Sequence, residues 1–437
     1  MVLGRDESYP RGFKEQQPVQ VQPRFGFAWD VKGDGKTAIR GSVGVFNQTR
    51  VSANAIWTDV ARNPPIADNP RIFYGNMDTL LASAGTLFPS SVTGFDPDAP
   101  TPVTYNYTLS IQRDVGFGTV VDVAYVGSQS RHLQQQRNIN QIPYRARHLD
   151  VNPQNANPVV ANTALPDDFL RPYPGYGNIT YYDNAGYSNY NALQVAVNRR
   201  FTRGVQFGVA YTYSKTMDLA DGDRDGLPSY RPYRIWNYGR AGFDQTHVMV
   251  INYTWDLPRA SRLWDNAVVK AVFDDWQLSG ITAFASGTPG GIGLALVDTG
   301  TDLSGGGDGA RVLIKGNPNL PDSKQTVAAT GFVQWIDPTV FGRPARGDFG
   351  NAAKDVFRNP GTHNWDFSFF KNIPLRSESR YLQLRWEMYN AFNHTQWSGI
   401  DTTARFDTSG NQVNTRFGQV TAARPARVMQ GSLRITF

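Results

Sequence analysis

The sequence has 437 residues, of which 40% are hydrophobic and 18% are charged, and its formal net charge is +6. The absence of cysteine excludes disulfides and thiolate metal sites, and the even spread of charge argues against the basic stripe of a nucleic-acid surface. No stretch of the sequence reaches the roughly 18 apolar residues of a membrane helix. The first ten residues lack the pattern of a signal peptide, so we expect the natural N-terminus to lie upstream.

Eleven segments alternate between apolar and polar side chains, as half-buried β-strands do. In chain order they are PRFGFAWDV, KTAIRGSVGVF, VTYNYTLSIQRDV, TVVDVAYVGS, YNALQVAVNRRF, VQFGVAYTYSKT, THVMVINYTWDL, WQLSGITAFASG, NWDFSFFKN, YLQLRWEMYNAF and ARVMQGSLRITF. Each has roughly ten residues, the length of a tilted strand that crosses a membrane. The sequence therefore predicts an all-β, antiparallel protein of about eleven strands.

The connections between these segments alternate in length. The first, third, fifth and ninth are very short, and the seventh, around PRASRLWDNAVVKAVFDD, is intermediate. The others are long and cover about residues 48–101, 130–187, 218–242, 288–362 and 395–424. Tight turns at one rim and long loops at the other are typical of a transmembrane β-barrel of the outer membrane.

Three of the short turns carry a glycine at the same place. In VAVNRRFTRGVQFGVAY, a three-residue loop that ends at Gly204 pairs Phe201 with Val205 and keeps the apolar residues on one face. Glycine suits the third position of such a loop because that position takes a positive φ. Gly35 and Gly118 are predicted to occupy the same position in the turns GDG and GFG.

The two faces of each predicted strand differ in polarity. One face carries Leu193, Val195, Val197, Val209, Tyr211 and Tyr213, and the other carries Gln194, Asn198, Gln206 and Thr212. No helix pattern supplies a layer to cover the apolar face, so we expect lipid to cover it and the polar face to line a lumen. Aromatic residues near strand ends suit an interfacial girdle: Trp29, Tyr213, Tyr253, Trp255 and Phe392.

Four charged residues are predicted to face the lumen near the end of the chain. Asp366 is expected roughly opposite Glu387, with Arg385 on the diagonal. Arg434 is expected on the same face of the last strand, while Leu433, Ile435 and Phe437 face lipid. These charges form a ladder along the wall or contact a ligand or a plug.

Motifs of catalysis are not found in the sequence, so we predict that the protein is not an enzyme. GKT at residues 35–37 lacks the glycine of a phosphate loop, and the five histidines have no close metal-ligand spacing. Asp221, Asp223 and Asp225 resemble the first half of a calcium loop, but Pro232 stands where glutamate is required. The hypotheses are a calcium site in this loop or a solvated acidic loop. The glycine-rich DTGTDLSGGGDGAR is expected to be flexible.

Several segments together resemble the barrel of TonB-dependent outer-membrane receptors, most closely the Oar-like group. They are QPRFGFAWDVKGDGKTAIRGSVGVF, NYNALQVAVNRRFTRGVQFGVAYTYSKTMD, FDQTHVMVINYTWDLP, DWQLSGITAFASGTP, NWDFSFFKNIPL and LQLRWEMYNAFNHTQW. The resemblance implies uptake of a bulky nutrient through a plug driven by the TonB complex. It also implies that the barrel-assembly machinery reads the terminal Phe437.

Receptors of this family resemble one another in having a signal peptide, a TonB box, a plug and about twenty-two strands. Against that pattern, this chain is expected to be the C-terminal half of a barrel, in residues 23–437, after the remnant of an external loop in residues 1–22. The model of half a barrel predicts an open sheet with two unpaired edges.

Two other classes remain open: a passive porin or surface adhesin barrel, and a soluble carbohydrate-binding or hydrolytic β-protein. The transported substrate, a saccharide or a peptide, is not predicted from the residues.

Overall fold

The computed structural model describes residues 19–48, 62–63, 78, 91–222, 225–228, 233–377 and 380–436. A 13-stranded sheet dominates the fold, and eleven of its strands follow one another across it in chain order. These are β1 Arg24–Asp30, β2 Thr37–Asn47, β3 Val103–Gly116, β4 Thr119–Asn138, β5 Ile179–Thr202, β6 Val205–Asp218, β7 His247–Asp256, β8 Trp276–Ala285, β9 Thr362–Ser377, β10 Arg380–Tyr389 and β11 Val428–Thr436. All neighbouring pairs among them are antiparallel, which confirms the predicted fold class and strand number.

The sheet is open in the described part of the chain. β1 pairs only with β2, and β11 pairs only with β10, so one edge of each strand is free. The two remaining strands are short additions: Val92–Phe95 runs parallel to β5, and Gly239–Arg240 pairs with the end of β6. The predicted open sheet with two unpaired edges is therefore observed.

The register within the sheet follows the predicted faces. Val197 pairs with Val209, and Leu193 pairs with Tyr213, so the apolar side chains of β5 and β6 share one face. We call this side of the sheet the apolar face and the other side the polar face. The predicted girdle residues Trp29, Tyr213, Tyr253 and Trp255 all lie on the apolar face by their pairing.

The tips of two hairpins differ from the prediction. Thr202 pairs with Val205, so the loop contains only Arg203 and Gly204, both with positive φ (54° and 79°). Positive φ at both central residues is typical of a type I′ turn, whose twist matches the right-handed twist of the flanking strands. A bulge between Arg199 and Thr202 absorbs the extra residue. The three-residue loop was thus wrong, while the register of the strands was right.

The hairpin between β3 and β4 closes in the same way. Gly116 pairs with Thr119, the loop consists of Phe117 and Gly118, and a bulge follows Asp114. In the turn between β1 and β2, the carboxylate of Asp30 accepts the backbone N–H of Gly35 at 2.8 Å. All three predicted glycines therefore lie in the short turns, but only the first lies in a loop longer than two residues.

Short and long connections lie at opposite ends of the strands. Of the described residues, 31–36, 117–118, 203–204 and 257–275 lie at the turn rim, and those within 48–102, 139–178, 219–246, 286–361 and 390–427 lie at the loop rim. The connections contain the helices α1 Asp167–Leu170, α2 Tyr233–Asn237 and α3 Ala267–Phe273. They also contain the 3-10 turns Pro153–Asn155, Ala260–Arg262, Asp322–Lys324 and Pro338–Val340. Among the residues described, no helix combines the length and the hydrophobicity needed to cross a membrane.

The long loops contain the main hydrophobic core of the described chain. Four pairs of short strands organise them: Pro289–Gly290 with Phe357–Arg358, Gly293–Leu296 with Thr403–Phe406, Leu313–Ile314 with Phe341–Gly342, and Trp397–Ile400 with Val420–Ala423. Their buried side chains form one cluster, the loop core, which comprises Val312, Ile336, Phe341, Ala352, Phe357, Ala404, Phe406 and Phe417. In contrast, Leu109, Trp386 and Leu433 on the apolar face of the sheet are exposed.

Part of the glycine-rich segment 298–311 is packed: residues 303–306 are buried, which argues against the expected flexibility for this part. The backbone N–H of Arg145 donates to the carbonyl of Ser304, and that of Arg147 donates to the carbonyl of Gly305, both at 2.9 Å. Ser304 is fully buried. The glycines let this segment lie directly against the loop that follows β4, and a Cβ on Gly305 would come within 2.7 Å of the His148 ring.

Candidate functional site

The polar face carries many small and hydrogen-bonding side chains, with a few apolar ones such as Val126, Val250 and Ile281 among them. Cross-strand contacts link many of them: Thr104 with Ser130 at 3.0 Å, Arg40 with Gln112 at 2.7 Å, Thr254 with Ser279 at 3.1 Å and Asp256 with Gln277 at 2.8 Å. Ala196 and Ala210 pair between such contacts and leave the surface open. Hydroxyls, amides and small residues make this face suited to contact with water and polar solutes.

Glu387 is the centre of a charged cluster on this face. The guanidinium of Arg385 forms an ion pair with its carboxylate, and the side-chain amide of Gln430 donates to the other carboxylate oxygen. The hydroxyl of Ser368 lies 3.4 Å from Glu387. The Arg385 guanidinium also covers the ring of Phe370 at 4.8 Å. Two of the four predicted charges are thus brought into direct contact.

The predicted pairing of Asp366 with Glu387 was wrong by two residues. Glu387 pairs with Ser368 and not with Asp366, and the register of this hairpin shifts once, between Pro374 and Ser377. Proline has no N–H to donate to the neighbouring strand, and bulges commonly form at such a residue. The carboxylate of Asp366 instead accepts the backbone N–H of Asn390 at 2.9 Å.

Arg434 lies opposite Gln383 on the polar face, two residues from the partner of Arg385. All four charged residues therefore share the predicted face. A role for them in binding a ligand or plug stays a prediction. Phe437, the predicted assembly signal, lies outside the described residues, as does most of the predicted loop remnant 1–22.

The proposed calcium loop is only partly described, since Asp223 lies outside the described residues. The carboxylate of Asp221 accepts the N–H of Gly242 at 2.8 Å and lies 3.4 Å from the ammonium of Lys354. Asp225 accepts the N–H of Gly222 at 2.7 Å. Within the part of the chain described, no group of three acidic or histidine residues is placed to hold a metal ion. The calcium site stays a prediction.

Sequence reasoning missed the contacts that join the long loops. We call the described residues of 139–178, 219–246, 286–361 and 390–427 the loop assembly. Arg311 donates to the carbonyl of Trp236 at 3.0 Å and to Asn237 at 2.7 Å, and its guanidinium covers the Trp236 ring. The ring of Phe349 stacks on Tyr144 with centroids 3.9 Å apart. These contacts link three loops.

The fourth loop is joined through Arg343. Its guanidinium binds both oxygens of Asp298, at 2.9 and 2.8 Å, and donates to the carbonyl of Asp407 at 2.6 Å. Hydrogen bonds from Arg343 and from the Thr301 hydroxyl hold the pKa of Asp298 well below its usual range. Single arginines in polar loops carry no periodic signal, so only a structure reveals that they are connectors.

A cavity of about 580 Å³ opens in the loop assembly beside the ends of β4 and β5. Its wall contains three tyrosines and several amide or guanidinium groups, including Tyr144, Tyr173, Tyr181, Arg137, Asn138 and Gln141. Aromatic surfaces with a few polar groups are typical of ligand pockets.

The meandering antiparallel sheet, its two unlike rims and its unlike faces define the wall of a membrane β-barrel. Residues 1–430 match the family described as outer membrane beta barrel domain, and the chain belongs to this family. Its location is the outer membrane. No curated protein sequence matches the chain.

Solved structures with a similar fold include three outer-membrane proteins. The outer membrane transporter YddB from Escherichia coli gives a TM-score of 0.47 at 11% identity, covering 95% of this chain and 41% of that chain. The siderophore receptor PiuA from Acinetobacter baumannii gives a TM-score of 0.41 at 10% identity, covering 95% of this chain and 35% of that chain. The FrpB iron transporter from Neisseria meningitidis gives a TM-score of 0.39 at 9% identity, covering 95% of this chain and 39% of that chain. The chain therefore spans less than half the length of each.

Proposed function

We propose that the chain forms part of the wall of a transport barrel, with its apolar face against lipid and its polar face along the lumen. The observation that carries this proposal is the position of the hydrophobic core. The buried apolar cluster lies in the loops, while apolar side chains of the sheet such as Leu109 and Trp386 stay exposed. A sheet with an uncovered apolar face is stable where hydrocarbon covers it.

The free edges of β1 and β11 support a larger barrel. Unpaired backbone groups are costly in hydrocarbon, so membrane sheets close on themselves. Further strands of a longer protein are therefore expected to pair with both edges. In the receptors that the sequence resembles, such a barrel encloses a plug, and the Arg385–Glu387 pair would face it or the passing ligand.

The activity that best fits this arrangement is TonB-dependent uptake of a bulky nutrient, a saccharide or a peptide. The loop assembly would receive the ligand at the cell surface, and the tyrosine-lined cavity offers aromatic rings to it. The polar face would then line the path of the ligand through the lumen.

Uptake by cells that produce the full-length protein tests this proposal. A panel of labelled oligosaccharides and peptides is offered to cells with and without a working TonB complex. The proposal expects surface binding in both strains and uptake only where TonB works. Uptake that is equal in both strains would contradict it.

A passive porin is the second candidate, because the polar face would also line an open channel. The full-length protein in a planar bilayer distinguishes the two. A porin gives a steady ion conductance, whereas a plugged transporter gives none. A soluble β-protein would be extracted from cells without detergent and would show no heat-dependent change in gel mobility.

A further inference from the structure

The connection between β7 and β8 is unlike the other connections at the turn rim. It spans residues 257–275, whereas the other turns contain six residues or fewer. It folds into the 3-10 turn Ala260–Arg262 followed by α3. Tight turns suffice to join antiparallel strands, so this added structure needs its own explanation.

Local contacts fix the shape of this connection. The side chain of Asn266 caps α3 by accepting the N–H of Val269 at 2.8 Å. The carboxylate of Asp274 accepts the N–H of Ser261 at 3.0 Å, and Arg259 pairs with Asp275 at 3.1 Å. The helix is therefore a defined element.

α3 carries an exposed apolar stripe. Val268 and Val272 are four residues apart in α3 and therefore lie on one side of the helix, and the exposed Trp264 comes just before the helix begins. Trp264 is 65% exposed and Val268 is 70% exposed. On another side, Lys270 forms an ion pair with Asp265 at 2.6 Å. An exposed apolar side beside a charged side is typical of a helix that lies in a membrane interface.

Lys371 attaches the end of this helix to the apolar face of the sheet. Lys371 pairs with Trp276 and Leu384 in the sheet and lies on the apolar face. Its ammonium donates to the carbonyls of Asp274 at 2.6 Å and Val272 at 3.3 Å, and only 5% of the residue is exposed. The indole N–H of Trp276 donates to the same Val272 carbonyl at 2.8 Å. The helix thus lies outside the wall, continuous with the surface that faces lipid.

We propose that α3 is a membrane-contacting helix, which lies in the phospholipid leaflet on the periplasmic side of the outer membrane. Trp264, Val268 and Val272 insert between acyl chains just below the head groups, and the Lys270–Asp265 pair faces water. Turn rims of such barrels face the periplasm. The inference rests on the proposed function in one respect, namely that the apolar face meets lipid.

The cysteine-free sequence allows spin labels to be placed one at a time. Three variants of the full-length protein are labelled and reconstituted in phospholipid vesicles: Val268→Cys on the stripe, Lys270→Cys on the charged side and Leu109→Cys on the apolar face of β3. Collision with oxygen, which concentrates in lipid, is compared with collision with a water-soluble nickel chelate. We expect oxygen to dominate at Val268 and Leu109, and nickel to dominate at Lys270. Heat-dependent gel mobility confirms that each variant is folded.

The outcomes separate the inference from the proposed function. Nickel dominating at Val268 while oxygen dominates at Leu109 would overturn the membrane helix alone. Nickel dominating at Leu109 would overturn the lipid-facing wall, and the helix with it. If neither reagent reaches Val268, a protein surface covers the stripe, and the lipid assignment is wrong.

Discussion

The carboxylate of Glu387 on β10 accepts a hydrogen bond from the side-chain amide of Gln430, its cross-strand partner on β11. Arg385, two residues away on the same face, forms an ion pair with the same carboxylate. The last strand is therefore tied to its neighbour by side chains as well as by the backbone.

The variants Glu387→Gln, Gln430→Leu and their combination measure how much this contact between β10 and β11 contributes to the free energy of unfolding. Each single change should destabilise the folded protein by roughly 1.5–3 kcal/mol, the usual net value of a hydrogen bond to a charged group. The double variant should lose less than the sum, because the second change removes a partner already lost. Urea unfolding in detergent gives the three values, and a sum that is additive to within about 0.3 kcal/mol would show that the pair is not coupled.

The Arg343–Asp298 pair should make the loop assembly sensitive to acid. Because the pKa of Asp298 is lowered in the fold, its contribution to stability is present above its ordinary pKa and is lost as the pH falls through the lowered value. Arg343→Gln should loosen the assembly at neutral pH and weaken this acid dependence, since the carboxylate loses its first partner. The rate of limited proteolysis at cell surfaces, followed from pH 7 downward, is the measurement.

Arg346→Gln is the matched control for this prediction. Arg346 lies in the same loop and pairs with Asp150 at 3.2 Å, but both side chains are more than half exposed. Exposed pairs contribute little, so this variant should be cleaved like the natural protein. Equal cleavage of the Arg343 and Arg346 variants at every pH would show that Arg343 does not hold the loops together.

Gly305→Ala tests the packing of the glycine-rich segment. Gly305 has a φ of +65°, and a Cβ there would lie 2.7 Å from the His148 ring. The strained backbone and the clash together should destabilise the local structure by about 1–3 kcal/mol. Hydrogen exchange of residues 298–311 should therefore accelerate. Gly309→Ala is the control, since its Cβ meets nothing within 4 Å, and acceleration in both variants alike would contradict the packing argument.

The regular part of the fold was predictable because strand parity is a strong constraint. A slip of one residue would move Val197 or Val209 to the polar face, so the register of β5 and β6 followed from the sequence. The hairpin tips were less predictable, since a bulge beside Arg199 changes the loop length without changing the faces. The partner of Asp366 was missed by two residues because strand parity fixes the face of a residue but not its exact partner across a hairpin.

The loops were not predictable from pattern. The loop core joins residues such as Val312 and Phe417, which are far apart in the sequence and belong to segments with no periodicity. The position of Lys371 could have been noticed in the sequence. It is a lysine among the apolar side chains of β9, and it pairs with Trp276, which directly follows the unusually long connection 257–275. A charge at such a place needs a partner, and the end of α3 supplies it.

Lys371→Met tests whether this lysine anchors α3. The change keeps the length and apolar stem of the side chain but removes the ammonium that binds the carbonyls of Val272 and Asp274. Hydrogen bonds to a charged group are worth roughly 1.5–3 kcal/mol, so hydrogen exchange in α3 should rise by roughly tenfold or more, while β8 and β9 stay protected by their pairing. Lys270→Met removes an exposed charge from the same helix and should leave its exchange nearly unchanged. Rapid exchange in β8 and β9 of the Lys371 variant would instead mean that the lysine supports the sheet and not the helix.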